Sequence, residues 1–323
     1  MQLKKTKRPI MGLSAFLIIL FHFYPLPLAK DLLSSWARFI IVTAYIGVDI
    51  FFFMAAYMTY FSNTEDYRTY IKKKASKIYP IFILASLVYL LMGGFGPLKM
   101  LRTLLGLELV LRGGGSFLWF LPAIMIFYLL APILKKLFKN LGHKKALVLG
   151  LLSWFVVILL LEKILKNHSV NIFLNRIPII LLGLGLAKCE GKLSIKHRVI
   201  IGLFLLGIGI YLTQKYGFMI KKKILITDSF YLLALAYSLG SIFILDVIFS
   251  RLRSYFFDTL GKISLEMYAS QMLLGPYLLK NFSKSIASQR LIFVFIFISI
   301  VALSLLLRFV ASKLERPIPN NPR

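Results

Sequence analysis

Residues 291–311 read LIFVFIFISIVALSLLLRFVA, an apolar stretch whose single charged side chain is Arg308. An α-helix rises 1.5 Å per residue, so about 20 such residues cross the roughly 30 Å hydrocarbon core of a bilayer. Similar stretches recur along the 323 residues, of which 59% are hydrophobic and 16% charged, and the mean hydropathy is +0.81. A soluble domain of this size could not cover that much apolar surface. The sequence therefore predicts a membrane protein.

We predict an all-α integral membrane protein in which about ten transmembrane helices form one bundle and one domain, residues 1–323. The predicted spans are 10–28, 37–61, 78–95, 117–134, 146–164, 172–187, 199–214, 225–249, 262–279 and 291–311. The first span leads straight into the second and lacks a small-residue cleavage site, so we expect it to be retained. The stretch GPLKMLRTLLGLELVLRGGGS, residues 96–116, is too polar to span and predicts an amphipathic helix at the outer surface.

The net charge of +28 comes from 40 Lys and Arg against 12 Asp and Glu. In a soluble protein this excess would suggest nucleic-acid binding. Here the basic residues lie in short loops between spans, a pattern typical of membrane orientation and lipid-headgroup contact, so we expect no nucleic-acid partner. With the spans above, 25 of the 40 fall on the side of the two termini. The positive-inside rule predicts cytoplasmic termini in a multi-pass protein, and we expect a bacterial plasma membrane.

Two polar residues fall deep inside predicted spans. His22 lies about 18 Å from the inner edge of the first span, and Asp49 about 18 Å from the outer edge of the second. In a core of about 30 Å their depths differ by only about 6 Å, and a short loop joins the two helices. We therefore predict that the Asp49 carboxylate reaches the His22 imidazole and raises its basicity, as a general base requires.

A purely structural interpretation of these two residues stays open, with His22 hydrogen-bonded to a neighbouring helix and Asp49 serving as a cap or pair. A metal site is not expected, because no second His or Cys lies near either residue. Asp246 lies close enough to a span end that we expect it to be solvated.

A basic cluster, KKKASKIYP, occupies residues 72–80. Lys74 and Lys77 share one helical face and could bind phosphates on the cytoplasmic side. The alternative is that these lysines only set the membrane orientation. Trp119 would by default be an aromatic residue of the membrane interface.

In this order, several segments resemble the acyltransferase 3 family of membrane O-acyltransferases. The segments are residues 12–22 ending in His22, GVDIFFF at 47–53, KASKIYP at 74–80, SFLWFL at 116–121, YLLAP at 128–132, LGKIS at 260–264 followed by Tyr268, and ERP at 315–317. Two positions depart from the family pattern. Met11 stands where the family usually has Arg, for which Arg8 one turn earlier could substitute, and Gln271 stands where the family often has His.

The resemblance implies a ten-helix bundle that transfers an acyl group, usually acetyl, from cytoplasmic acyl-CoA to a hydroxyl of a surface glycan or related carbohydrate. His22, oriented by Asp49, would then be the general base. The implied phosphate-binding residues for acetyl-CoA are Lys73, Lys74 and Lys77. Further candidates for lining the site are Arg8, Trp119, Tyr128, Glu266, Tyr268 and Gln271.

Two other functional classes stay open at the level of the sequence. A multispan glycan or lipid transporter is one, although transporters often show repeat symmetry, and none is visible here. A membrane sensor or structural partner with a decayed site is the other, given Met11 and Gln271. Release of CoA thiol from acetyl-CoA in the presence of a glycan acceptor would indicate an enzyme and exclude both of these classes.

Overall fold

The computed structural model describes residues 1–23, 35–164, 169–217, 230–282 and 289–314. Within these ranges the chain is all-α and contains no strand, which confirms the predicted class. The helices are α1 (Leu3–His22), α2 (Ser35–Val42), α3 (Ile46–Tyr60), α4 (Tyr67–Leu91), α5 (Pro97–Leu104), α6 (Leu107–Arg112), α7 (Phe120–Leu141), α8 (His143–Leu159), α9 (Asn171–Leu174), α10 (Ile177–Leu186), α11 (Ile195–Leu212), α12 (Phe230–Leu233), α13 (Leu235–Arg251), α14 (Tyr255–Lys262), α15 (Ser264–Phe282) and α16 (Gln289–Leu314).

Seven helical segments of the described chain are long and apolar enough to cross a membrane. They are Tyr67–Leu91, Phe120–Leu141, His143–Ile164, Asn171–Cys189, Ile195–Tyr216, Tyr231–Arg251 and Leu291–Lys313. The other three predicted spans overlap α1, the α2–α3 pair and α15. Residues 24–28 and 225–229 of two predicted spans lie outside the described residues. The count of ten and the sides of the termini stay predictions.

Three predicted spans, 37–61, 172–187 and 225–249, are not single helices. Each is divided by a short break, between α2 and α3, α9 and α10, and α12 and α13. A break leaves backbone N–H groups at the start of the next helix without intrahelical partners, and inside a membrane such groups need partners from the protein. Polar side chains stand at or just after each break, namely Asp49, Arg176 and Ser238.

Helix α1 packs against α3, α13, α14 and α15. Its contact with α14 is a backbone-to-backbone approach. A Cβ atom at Gly12 would lie 1.9 Å from the Phe257 carbonyl oxygen, and one at Gly261 would lie 2.0 Å from the Arg8 carbonyl oxygen. Only glycine permits this approach at either position. As a result Lys262, the last residue of α14, is held beside the first turns of α1.

The end of the bundle that contains Met1 holds a buried ion pair. The Nη1 atom of Arg198 lies 2.8 Å from Oδ2 of Asp246. Thr6 donates a hydrogen bond to Oδ1 at 2.8 Å, and the Gln2 backbone N–H donates to Oδ2 at 3.0 Å. Asp246 is fully buried, so the expectation that it is solvated was wrong. The pair joins α1, α11 and α13, and three donors compensate the cost of burying the carboxylate.

The polar stretch 96–116 is helical, but it forms two short helices, α5 and α6, rather than one. Gly106 between them has φ 76°, a left-handed conformation that glycine adopts without steric cost. Leu98 and Leu101 on α5 are exposed. The amphipathic character is therefore present, and its location at the outer membrane surface stays a prediction.

Candidate functional site

A cavity of about 670 Å³ lies between α1, α3, α4, α7, α14, α15 and α16. This volume is within the range of roughly 300–1,000 Å³ that is usual for small-molecule sites. Along α1 the lining extends from Lys7 to Ile18, which corresponds to about 16 Å of helix. The cavity is thus long enough to run from one end of the bundle well into its interior.

Basic side chains from four helices line this cavity. They are Lys7 and Arg8 of α1, Lys74 and Lys77 of α4, Lys262 of α14 and Arg308 of α16. Among the described lining residues Glu266 is the one carboxylate, and its Oε1 atom lies 3.4 Å from Nη1 of Arg308. So many cations around one carboxylate form a site of positive potential that suits a ligand with several negative charges.

The nearby cations affect the protonation of Lys7, which precedes the apolar part of α1. Burial of Lys7, with the charges of Lys77 and Arg8 nearby, lowers the pKa of its amine. Like charges and desolvation both disfavour the ammonium form. An anion bound here would relieve this repulsion.

The rest of the cavity wall is mostly apolar and includes Phe51, Ile81 and Phe120, all of them buried. Three hydroxyl-bearing side chains interrupt it, those of Tyr128, Ser264 and Tyr268. The Tyr268 hydroxyl accepts a hydrogen bond of 3.2 Å from the backbone N–H of Phe120, the first residue of α7. Leu118, two residues earlier, has φ 55°, which is uncommon for a residue with a side chain. This turn sets the direction in which α7 begins.

Two of the three predicted phosphate-binding lysines line the cavity and one does not. Lys74 and Lys77 belong to the wall, and the Lys74 Nζ atom lies 4.4 Å above the centre of the Tyr128 ring. Lys73 is exposed and is not part of the lining. Successive residues of a helix are about 100° apart, so Lys73 is turned away from the face that Lys74 presents to the cavity. The predicted contact of Lys73 with the donor is therefore not supported.

His22 lies beyond the inner end of the cavity. It follows Ile18, the last α1 residue of the lining, by one helical turn, or about 6 Å. His22 is classed with the exposed residues, whereas Ile19 and Phe23 beside it are buried. The polar groups near the ring are the Ile18 carbonyl and the side chain of Gln271 on α15.

Gln271 itself is buried, and its Oε1 atom has no hydrogen-bond partner of good geometry within the described chain. It lies one turn beyond Tyr268 on the same helix. Because α1 and α15 both run away from the basic end of the cavity, His22 and Gln271 meet at one level, just past Ile18 and Tyr268. This level is where the cavity ends.

The structure differs from the predicted pairing of His22 with Asp49. The Oδ1 atom of Asp49 lies 2.8 Å from Nε of Arg176, and Ser238 donates a 3.2 Å hydrogen bond to Oδ2. The Arg176 guanidinium also stacks 3.5 Å from the centre of the Tyr231 ring. Both partners of the ion pair are almost completely buried. Asp49 therefore joins the broken helices instead of orienting the imidazole.

The reason is the relative depth of α1 and α3. Gly47 packs against Ser14 and Ile18 of α1. On α1, His22 lies four to eight residues beyond the contact in one direction. On α3, Asp49 lies two residues from the contact in the opposite direction. At 1.5 Å of rise per residue, the two side chains are separated along the helices by about 12 Å. The depth calculated from the sequence treated 37–61 as one straight helix, and the break before Ile46 removes that premise.

A model of the acyltransferase 3 family, described as an acyltransferase domain, matches residues 12–309. The chain belongs to this family. The match covers most of the sequence and confirms the resemblance carried by the motifs from residue 12 to Tyr268. The closing ERP motif at 315–317 lies outside both the match and the described residues. No curated protein and no solved structure matches the chain.

Membership of the acyltransferase 3 family, together with the apolar helices, makes the chain a multi-pass membrane acyltransferase. The two departures from the family pattern have clear positions. Met11 and Arg8 both line the cavity, so a guanidinium is available at the site despite Met11. Gln271 lies next to His22, so the family's second histidine position does face the first.

The remaining candidates fall into two groups. Tyr128, Glu266 and Tyr268 line the cavity. Trp119 is buried at the start of α7 and is not among the described lining residues. Its burial also differs from the exposed position expected of an interfacial aromatic.

Sequence reasoning missed three of the basic residues of the cavity, Lys7, Lys262 and Arg308. Each was counted only as a charge that sets membrane orientation. Their positions in the sequence could have indicated a role in the site, because each lies beside a segment that resembles a family motif or at the end of a span. Lys262 also lies 3.6 Å from Asp258, an exposed pair that leaves its ammonium at the cavity edge.

Proposed function

We propose that this membrane acyltransferase is an O-acyltransferase, which moves an acyl group, most simply acetyl, from acyl-CoA to a hydroxyl of a surface glycan or related carbohydrate. The observation that carries the proposal is that one continuous cavity begins among six cations and ends one helical turn from His22. A polyanionic nucleotide with a neutral acyl-bearing arm has this same division of charge. We place the donor on the cytoplasmic side of a bacterial plasma membrane.

In this proposal the phosphates of the donor bind at the basic end. Lys74 and Lys77 of α4, Lys262 of α14 and Arg308 of α16 supply charge-assisted hydrogen bonds. The arm then lies along the apolar wall formed by residues such as Phe51 and Ile81. Water is scarce there, which limits hydrolysis of the thioester before the acceptor arrives.

The chemical step uses His22 as general base. The imidazole removes the proton of the acceptor hydroxyl while the oxygen forms a bond to the thioester carbonyl carbon. The resulting tetrahedral intermediate then breaks its C–S bond, and the CoA thiolate leaves and takes the proton back from His22. Gln271, beside the ring, has the role that the sequence gave to Asp49, which is to fix the orientation of the imidazole.

His22 lies past the end of the donor cavity, so the acceptor hydroxyl reaches it from the side opposite the basic residues. Donor and acceptor would then meet across His22 without sharing an entrance. This arrangement suits an acceptor outside the cytoplasm, because neither substrate has to cross the bilayer.

The test uses membrane vesicles that contain the protein and the endogenous surface glycans. Addition of acetyl-CoA should release free CoA thiol, and mass spectrometry should find glycans heavier by one acetyl group only in cells that carry the gene. Vesicles without the protein are the control for background thioesterase activity. Glycan movement across the membrane without thiol release would instead indicate a transporter, and the proposal would then be abandoned.

A further inference from the structure

A buried hydroxyl at the end of the donor cavity has a proton with no acceptor. The Tyr268 hydroxyl is a hydrogen-bond acceptor for the Phe120 N–H, at 3.2 Å. Its own O–H hydrogen meets no acceptor within the described part of the chain, although the residue is only 4% exposed and lines the cavity. A buried donor without a partner costs about 1–3 kcal/mol, so each one needs an explanation, and a ligand in the cavity supplies one here.

The bond from Phe120 fixes which way the hydroxyl proton points. Phe120 is the first residue of α7, and the first N–H groups of a helix have no intrahelical partner. Tyr268 satisfies one of them with an oxygen lone pair. The remaining positions around that oxygen, including its proton, are therefore directed away from α7. The positive end of the α7 dipole also polarises the O–H bond and strengthens it as a donor.

The position of Tyr268 relative to His22 completes the geometry. Gln271, which contacts His22, is three residues further along α15, or about 4.5 Å. Tyr268 and Gln271 thus lie on neighbouring turns of one helix face, with Tyr268 on the side of the donor. A thioester carbonyl that ends between them would have a base on one side and a hydroxyl proton on the other.

We propose that Tyr268 is a further catalytic residue, whose hydroxyl donates a hydrogen bond to the thioester carbonyl oxygen and stabilises the oxyanion during transfer. The assignment rests on the proposed function. As the acceptor oxygen forms its bond to the carbonyl carbon, the C=O π electrons move to the oxygen, where the Tyr268 O–H meets them. When the intermediate collapses, those electrons re-form the C=O bond and the C–S bond pair leaves with sulfur. Tyr268 keeps its proton throughout.

The first test is Tyr268→Phe, assayed by CoA thiol release from acetyl-CoA in vesicles that retain endogenous glycans. Removal of one oxyanion donor lowers kcat by about 10²–10³-fold, and the KM for acetyl-CoA should stay within about twofold, because the bond strengthens only in the transition state. Tyr57→Phe is the matched control: Tyr57 is also buried, its hydroxyl also makes one polar contact, to Glu190, and it does not line the cavity.

Because the Phe120 N–H loses its partner in Tyr268→Phe, the protein could also lose stability. A second variant separates the two effects. Replacement of Tyr268 by 3-fluorotyrosine keeps the oxygen and its bond to Phe120 while making the phenol more acidic. A donor to an oxyanion then becomes stronger, so kcat should rise, whereas a structural hydroxyl should leave kcat unchanged.

The outcomes are distinct. An activity per folded Tyr268→Phe molecule within tenfold of wild type, or no response to 3-fluorotyrosine, would overturn the oxyanion assignment and leave the proposed function intact. A wild-type protein that binds CoA but releases no thiol with any glycan preparation would overturn the proposed function, and with it this role for Tyr268.

Discussion

The Nε atom of Arg176 lies 2.8 Å from the Oδ1 atom of Asp49, with both side chains almost completely buried. Asp49 is in the first turn of α3, and Arg176 occupies the break before α10. Ser238, at the start of α13, donates to the same carboxylate. One ion pair therefore ties together three broken helices in the interior of the bundle. Removing either partner would leave the other as an unpaired buried charge.

We expect Arg176→Ala to destabilise the protein by about 3–5 kcal/mol, the usual cost of breaking a buried pair. The measurement is the midpoint of thermal unfolding of the purified protein in detergent, together with the yield from membranes. Lys262→Ala is the control for stability, because that lysine and its partner Asp258 are 56% and 36% exposed and its loss should cost less than about 1 kcal/mol. Equal midpoints for Arg176→Ala and wild type would show that the ion pair does not hold the helices.

Asp49→Asn distinguishes the structural role from the catalytic one that the sequence suggested. The amide cannot neutralise Arg176, so we expect a lower yield and a lower unfolding midpoint, with near-normal activity in the molecules that fold. Since no contact links Asp49 to His22 among the described residues, a double variant with His22→Ala should show additive losses. A stable Asp49→Asn protein with about 100-fold lower activity would indicate that Asp49 takes part in catalysis after all.

The breaks that create this pair could be predicted only in part. The apolar runs give the order and approximate bounds of the helices, because hydropathy depends on local composition. The residues at the first break, Thr43, Ala44 and Tyr45, include no Gly or Pro, so nothing local indicates it. The break before α10 does have a signal, since Pro178 is favoured at a helix start. Arg176 itself lies inside the predicted span 172–187, and no role was predicted for it.

A third prediction concerns the lysines of α4. Lys74→Ala with Lys77→Ala should raise the KM for acetyl-CoA, by about tenfold or more for each charge-assisted contact of roughly 1.5–3 kcal/mol. Lys72→Ala with Lys73→Ala is a matched control, because it removes the same charge from the same helix at positions that do not line the cavity. We expect its KM to stay near the wild-type value.

Both pairs of variants need steady-state kinetics at two ionic strengths. A general surface potential would weaken donor binding equally in the two pairs, and its effect would fade with salt. If the two pairs raise the KM to the same extent, the lysines act only through that potential and the specific contacts are rejected.

Part of the cavity could be anticipated from motif segments, because Lys74, Lys77, Tyr128 and Tyr268 belong to them and line it. Arg8, predicted as a substitute for the family's Arg at position 11, and Glu266, a further predicted candidate, line it too. The sequence does not predict that basic residues from distant parts of the chain meet in this cavity. Lys262 and Arg308 are 46 positions apart in the sequence. Lys262 reaches the cavity because α14 packs on α1 through Gly12 and Gly261, and Arg308 reaches it because α16 packs on α15, where the arginine pairs with Glu266. Counting charges along the chain gives no information on how the helices that carry these two residues pack.

The orientation can be tested with the chain's single cysteine. Cys189 lies between α10 and α11, at the same end as Met1, whose carbonyl accepts a hydrogen bond from the Gly191 N–H. If that end is cytoplasmic, a membrane-impermeant maleimide should label Cys189 only after the cells are permeabilised. Leu98→Cys in a Cys189→Ala background is the control, since Leu98 is exposed on α5 and should be labelled in intact cells. The reverse labelling pattern would invert the topology.

The last prediction tests His22, the residue to which the proposed chemistry assigns proton transfer. A general base contributes about 10²–10⁴-fold in rate, so His22→Ala should lower kcat by that amount while CoA binding, which depends on the far end of the cavity, stays unchanged. The control is His197→Ala, because His197 is exposed at the start of α11 and hydrogen-bonded to Ser194. Activity must be expressed per folded molecule, since His22 also packs beside Gln271 and its loss could reduce yield. A structural role for His22 predicts fewer molecules, each with near-normal activity. That result would leave the base unidentified and would remove the reason for placing the reaction at the end of the cavity.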